Sequence, residues 1–437
     1  MVEHTGDPSE DTSSLPAAAE PLTVEQWQER VLAAVGRSGE ESVPLADARG
    51  RTVAVDVRTR HPVPLFDNSS MDGYAVRHSD VRGATSEHPV KLIVVADAPA
   101  GSGADPELPS GTAARVMTGA PVPSQADAVV PVEDTVEHRD TGRWVAPRDP
   151  VATVHVVAEP VPGRFIRRTG EDAANGTIVL RAGRVLSPAA LASIAAAGWD
   201  RVRVSRRPRV VVVSTGSELV APGTPPARGM IPDSNTALLA ALVEDAGGIV
   251  VDRALLSDDP ARLLGTLDAL SPDDVDAVLL SGGVSAGAFD VVKAALSGHG
   301  SVTFARLAMQ PGKPQGFGRL ASGIPAFCLP GNPVSSLVSF ELFVRPALAV
   351  MLGRSVTQRP VLQATAGTGW SSPAGRRQYI PVTVEHDGRG PVVRPSAAGG
   401  SGSHLVASLA AAEALAIVPE GVTEVRPGDR VGMLHLA

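Results

Sequence analysis

The chain runs to 437 residues, too long for one simple core, so about three or four domains are expected. Its 43% hydrophobic and 20% charged residues describe an ordinary water-soluble composition, and a formal net charge of -8, with no Lys/Arg block, argues against nucleic acid as a partner. A single cysteine, Cys328, excludes an internal disulfide framework and fits a reducing cytoplasm, and the sequence shows no stretch of about 18 apolar residues to span a membrane.

The first 21 residues are acidic and rich in Ser, Pro and Ala, without the apolar stretch of a signal peptide, and read as a disordered tail. Thr23 and Gln26 then form a capping-box pattern, and Trp27, Val31, Leu32 and Val35 share one helical face. From about 41 to 147 the pattern changes to short β-rich runs (52–57, 90–96, 126–132) broken by Gly, Pro and Asp. A Gly- and Arg-rich stretch at 161–180 precedes an Ala-rich helix at 188–198. Residues 22–46 and 147–185 are expected to form one discontinuous N-terminal domain around an inserted β-rich domain at 47–146.

Strand–helix alternation dominates 186–353 and predicts a central doubly wound, mostly parallel α/β domain. Expected strands lie at 210–213, 249–255, 275–280, 302–307 and 325–329, and helices at 236–246, 260–270, 289–296 and 333–352. Cys328 falls in the apolar run 325–329 and reads as a buried structural thiol. Beyond 354 the helices stop, and runs at 361–366, 378–384, 391–394, 414–418 and 430–436 predict a small C-terminal β domain. The fold class is thus multidomain α/β plus β.

The segment Leu280-Ser281-Gly282-Gly283-Val284-Ser285-Ala286-Gly287-Ala288-Phe289-Asp290 is a glycine-rich turn between a buried strand and a helix. Such turns let the backbone approach an oxyanion and point helix N–H groups at its charge. Ser281 and Ser285 add hydroxyls, and Asp290 a carboxylate able to hold a metal. Four further polar loops follow strands: Ser214-Thr215-Gly216-Ser217-Glu218, Ser257-Asp258-Asp259, Gln310-Pro311-Gly312-Lys313-Pro314 and 329–336. Together they describe a pocket for a phosphate-bearing ligand with a divalent cation. Mg²⁺ suits a few carboxylates plus waters and ligand phosphates, and no Cys/His cluster offers a zinc site. Outside this domain, 64–75, 115–123 and 167–172 carry acids, hydroxyls and paired arginines whose ordinary reading is Asx-turn loops and solvated charge.

These motifs carry a resemblance. FDNSSMDGYA at 66–75, MTGAPVP at 117–123, RRTGED at 167–172, STGSEL at 214–219, SGGVSAGAFD at 281–290, PGKPQGFG at 311–318 and LPGNPVSS at 329–336 are similar, in the same order, to the MoeA family of molybdopterin molybdenumtransferases, whose eukaryotic relative is the gephyrin E domain. The resemblance covers about 22–437. It implies four domains, the third binding molybdopterin and the fourth a β-barrel-like domain, in an elongated cytoplasmic homodimer whose site joins the third domain of one subunit to the first two of the other. It implies an enzyme that inserts molybdenum from molybdate into adenylylated molybdopterin with Mg²⁺, yielding molybdenum cofactor and AMP, and the molybdopterin adenylyltransferase as a partner.

By motif, the implied catalytic residues are Asp72, Thr118, Asp172, Glu218, Asp258 and Asp290, of which Glu218, Asp258 and Asp290 would hold the metal. Implied substrate contacts are Ser214, Thr215, Gly216, Ser281, Gly282, Gly283, Ser285, Arg306, Lys313, Pro330, Pro333, Ser335, Arg376 and Ser403, with Arg377 and Ser401 resembling further anion-binding positions. Gln310 replaces a common family lysine, and Arg306 keeps the charge at a second. Tungstate is an alternative substrate of nearly equal size. Two other functions are the alternatives: a non-catalytic gephyrin-like scaffold for cytoskeletal or membrane partners, and the adenylyltransferase, which shares the α/β domain but lacks the 66–75 segment and the C-terminal domain.

Overall fold

The structure, a computed structural model, describes residues 20–136, 153–283, 291–397 and 405–436. Nearly all of the expected tail, together with Ser285, Asp290, Ser401 and Ser403, lies outside the described residues. Two compact units emerge, one from 1–41 with 205–437 and one from 42–204.

The first helix, α1 (Val24–Ala33), begins at the expected capping box: Gln26 N donates to Thr23 Oγ1 at 3.2 Å, and Thr23 N donates to Gln26 Oε1 at 2.9 Å. The sequence suggests that this helix joins 147–185, but its buried residues Val24, Trp27 and Val31 do not. They enter the core of 205–437 beside Val210, Leu279 and Phe343, because that sheet offers an apolar face for the helix stripe.

Within 42–204, strands β1 (Gly73–Val76), β2 (Val90–Ala98), β3 (Thr112–Val116), β4 (Ala128–Pro131) and β5 (Thr153–Val156) pair in the order β4-β1-β3-β2-β5. Beyond β4, Thr135 bridges Val156 in β5 and so links the two edges of the sheet. Tyr74, Leu92, Val130 and Val154 fill its interior. The Ala-rich helix, α2 (Pro188–Ala196), is capped by Ser187 Oγ, which accepts from Ala190 N at 3.2 Å. Its Ile194 packs on Val53, Leu186, Val202 and Val204. An α/β domain starting at 186 is therefore too early: this helix belongs to the 42–204 core, and the first central strand starts at Arg209.

In the other unit the strands are β6 (Arg209–Thr215), β7 (Ile249–Leu256), β8 (Ala277–Ser281), β9 (Thr303–Arg306), β10 (Pro314–Arg319) and β11 (Pro325–Leu329). The helices are α3 (Asn235–Asp245), α4 (Pro260–Asp268), α5 (Val291–Leu296) and a long composite helix, α6 (Pro333–Met351). The sheet order is β7-β6-β8-β11-β10-β9. The first four strands are parallel; β10 runs against β11, and β9 against β10, so β9 points the same way as the four.

Side-chain alternation explains the uninterrupted apolar strands. Val210, Val212, Leu279 and Phe327 face α1, α3 and α6, while Val211, Val213, Leu280 and Cys328 face α4 and α5. Complete burial pushes the Cys328 thiol far above its usual value, in keeping with an inert thiol.

The sequence reading missed β10, whose glycines look like loop residues. A Cβ on Gly316 would lie 2.6 Å from the Phe304 ring, and one on Gly318 would lie 2.3 Å from Ser301 O, so close strand approach requires both. It also missed that α6, 19 residues long, is apolar enough to cross a membrane; the helix is almost wholly buried in this core.

The C-terminal strands β12 (Val361–Ala366), β13 (Arg377–Asp387), β14 (Gly390–Pro395), β15 (Ala414–Val418) and β16 (Arg430–His435) pair as β13-β14-β12-β16-β15, and β15 returns to β13. This closed five-stranded ring is the expected barrel-like domain. Small residues such as Ala364, Ala366, Ala414 and Ala416 fit its narrow interior, with Ile380, Val382 and Met433. Tyr379, Leu415 and Leu434 face outward into the α/β core.

Candidate functional site

Because β6, β7, β8, β11 and β9 all point one way, the loops that follow them lie at one edge of the sheet, as the five polar loops require. After β6, Gly216 N donates to Leu256 O at 3.1 Å, and Ser217 and Asp258 exchange bonds: Ser217 N to Asp258 Oδ2 at 2.9 Å, and Asp258 N to Ser217 Oγ at 3.1 Å. Glu218 folds back over Gly216, where an added Cβ would meet its carboxylate at 2.8 Å. Glu218 and Asp258 thus occupy adjoining loops. After β8, Gly282 N donates to Leu329 O at 3.3 Å, tying the glycine turn to the loop after β11. There Ser336 Oγ donates to Pro330 O at 2.5 Å, and Pro333 opens α6, with Ser335 buried in its first turn.

The sequence reading overlooked a network beneath these loops. Asp233, just before α3, accepts from Asn235 N at 3.0 Å and from Thr236 Oγ1 at 2.5 Å, and Thr236 Oγ1 lies 2.9 Å from Ser214 Oγ. Asn235 Nδ2 donates to both Ser281 Oγ and Gly331 O at 2.6 Å. These residues lock three of the loops together. Their only sequence signal is Asp-Ser-Asn at the start of a helix, which reads as ordinary capping.

At the β9 end of the same edge, Arg306, Lys313 and Arg376 gather into a basic cluster. The Arg306 charge, with burial and Arg376, pushes the Lys313 ammonium below its usual range. Among the described residues none of the three has a carboxylate within salt-bridge distance. Gln315 Nε2 holds the intervening loop by donating to Gly312 O at 2.7 Å and Ser339 Oγ at 2.6 Å. Arg377 differs from its neighbour: it pairs with Glu25 and, at 2.9 Å, with Glu420. Three neighbouring cations without counter-acids among the described residues suit a compact dianion.

In 42–204 the other motifs meet. Thr118 donates to Asp72 Oδ1 from both N, at 2.7 Å, and Oγ1, at 2.8 Å. Asp67 does the same for Thr169, accepting from N at 2.7 Å and Oγ1 at 2.9 Å, and its other oxygen accepts from Arg168 Nη1 at 2.7 Å. The Thr169 amide, with Arg168, holds the Asp67 carboxyl below the usual range despite partial burial. Asp172 is placed by its own amide, which donates to Val63 O at 3.0 Å. A cleft of about 600 Å³ opens between Phe66, Asp67, Asp105, Pro121, Arg168 and Thr169.

For the expected cation, Glu218 and Asp258 supply hard oxygen donors of the kind Mg²⁺ takes beside ligand phosphates. Among the described residues no three His, Cys, Asp or Glu side chains form a metal-binding group, and Asp290 lies outside them.

Residues 22–198 match the family described as MoeA N-terminal region (domain I and II), 211–350 the probable molybdopterin binding domain, and 363–436 the MoeA C-terminal region (domain IV). Molybdopterin molybdenumtransferase 2 of Mycobacterium tuberculosis is 44% identical over 418 residues, covering 94% of this chain and 99% of that protein. Molybdopterin molybdenumtransferase of Haemophilus influenzae is 34% identical, covering 94% and 97%. The crystal structure of the molybdopterin biosynthesis moeA protein of Pyrococcus horikoshii superposes with a TM-score of 0.78 at 29% identity, covering 95% of this chain and all of that one. With its segments matched in order and relatives aligned from end to end, the chain belongs to the MoeA family.

Proposed function

We propose that this protein is a molybdopterin molybdenumtransferase that inserts molybdenum from molybdate into adenylylated molybdopterin, releasing AMP and forming molybdenum cofactor. The observation that carries this reading is the sheet edge: polar loops on locked supports at one end, within the part of the chain similar to the molybdopterin-binding domain, and at the other Arg306, Lys313 and Arg376, the last from the part similar to the MoeA C-terminal region, with no counter-acid among the described residues. The family assignment supplies molybdenum transfer. Adenylylated substrate, Mg²⁺ and AMP are finer proposals.

In this reading Ser214–Gly216, Ser281–Gly283 and Ser285 hold the molybdopterin phosphates, and Pro330, Pro333 and Ser335 shape the adjoining wall. Arg306, Lys313, Arg376 and Ser403 bind molybdate. Glu218, Asp258 and Asp290 would hold Mg²⁺, which would supply charge neutralisation at the pyrophosphate. Asp72, kept in orientation by Thr118, and Asp172 complete the acidic set. The chain's residues position and polarise; ligand exchange at the dithiolene sulfurs needs no protein nucleophile, and burial makes Cys328 unfit for that role.

A cytoplasmic homodimer is the accompanying proposal, checked by light scattering of the purified chain. The central test incubates the protein with adenylylated molybdopterin, Mg²⁺ and molybdate while AMP is followed. Molybdate-stimulated AMP release is expected, and its absence would sink the enzyme reading in favour of a scaffold.

A further inference from the structure

The basic cluster is held from a direction that its own residues do not announce. Leu22 N donates to Arg306 O, and Ala308 N donates back to Leu22 O, both at 2.9 Å, so the segment before α1 forms a short parallel ladder on 306–308. The same stretch also carries the start of β13. Arg377 N donates to Ala308 O at 2.9 Å, Met309 pairs with Arg377, and Gln310 pairs with Gln378. Glu25, in the first turn of α1, crosses this arrangement and accepts a hydrogen bond from Arg377 Nη1. Glu420 takes the other guanidinium nitrogen at 2.9 Å.

The energetics agree with the geometry. Burial disfavours charge on both partners, yet the Arg377 hydrogen bond holds the Glu25 carboxyl below its ordinary range, and Glu25 holds the Arg377 guanidinium above its own. Both groups are charged at neutral pH and are bound to each other. Arg376, one residue earlier, is left half-buried and without a carboxylate partner among the described residues. Arg376 occupies the bend immediately before β13, so the backbone from which its side chain projects is set where its neighbour Arg377 is anchored.

We propose that Glu25 is a positioning residue for molybdate: by clamping Arg377 it fixes the first residues of β13 and directs Arg376 toward Arg306 and Lys313. The proposal rests on the reading of that cluster as the molybdate site. Glu25 does not touch the anion, and as a carboxylate it opposes anion binding through space. Positioning and plain electrostatics therefore predict opposite effects when it is removed.

Molybdate is titrated calorimetrically into the full-length protein, and the Michaelis constants for molybdate and adenylylated molybdopterin are measured separately. In Glu25→Ala the molybdate Kd and KM are expected to rise about tenfold, a cost in keeping with misdirecting one of three charges, while the constant for adenylylated molybdopterin stays unchanged. Glu25→Gln, which keeps an acceptor for Arg377, is expected to restore most of the affinity. A molybdate Kd for Glu25→Ala that is unchanged or tighter would overturn the proposal, as would equal loss for both substrates. Should Glu25→Ala fail to fold, Arg377→Gln removes the other half of the clamp, with the same expected rise and the same overturning result. Absence of saturable molybdate binding by the unaltered protein would instead defeat the anion-site reading itself.

Discussion

At Gly282 the backbone φ is +99°, and an added Cβ would sit 2.2 Å from Thr215 O. The glycine is therefore required twice, by conformation and by the approach of the neighbouring strand end. Gly282→Ala must move the turn, which also carries the hydrogen bond to Leu329 O. A destabilisation of about 2–3 kcal/mol is expected in urea unfolding, with loss of AMP release even where the protein remains folded. Asn235 shows the opposite kind of residue. Nothing in its sequence context distinguishes it from a helix-start amide, yet it holds Ser281 and Gly331 at once. Loop glycines announce their chemistry through composition, whereas a residue that supports several loops is visible only after those loops are brought together.

The composite helix α6 contains its own interruption. Pro346 has no amide to donate to Leu342 O, and the helix passes through a π turn at Phe340–Val344 just before it. Gln28 from α1 fills the vacancy, donating from Nε2 to Leu342 O at 2.7 Å. Gln28→Leu removes that partner while keeping the packing volume and should cost about 1–2 kcal/mol of stability, read as a lower urea midpoint with an unchanged slope. Proline–glycine punctuation and apolar runs made most elements legible beforehand, down to strands Val361–Ala366 and Ala414–Val418 at their observed bounds. Strand β10 and the partner of α1 were not legible. The first is built from glycines chosen for close contact, and the second depends on which apolar face is nearest in three dimensions, which periodicity does not encode.

For the molecule as a whole, Asp67 and Asp276, one in each unit, are among the carboxylates outside the basic cluster that couple folding to pH. Thr169 and Arg168 lower Asp67; burial works against Asp276, but Arg209 and Arg206 lower it. A carboxylate whose folded value lies below its unfolded one, about 4, stabilises the protein fully above that pH and progressively less as pH falls through the folded value. Melting temperature should therefore hold from neutral pH to about 5 and decline below about 4, and Asp276→Asn should give a shallower decline. A decline of unaltered steepness in that variant would remove Asp276 from the account. At this scale composition changes near 354, where helices give way to strands, but it does not change at the helix that precedes the central sheet. An Ala-rich helix at 188–196 carries no mark of which core it will enter.

The chain leaves the first unit after Glu41 and rejoins it at Ser205, and the two crossings are neighbours: Arg206 N donates to Gly39 O at 2.7 Å. Within the intervening unit the ends are close as well, since Arg201 Nη2 donates to Ser42 O at 2.7 Å. The 42–204 segment is thus a parenthesis in an otherwise continuous text. A fold whose two break points already touch can gain, lose or exchange such a clause without rewriting the sentence around it, and a short turn between Gly39 and Arg206 would restore an uninterrupted α/β-and-barrel chain.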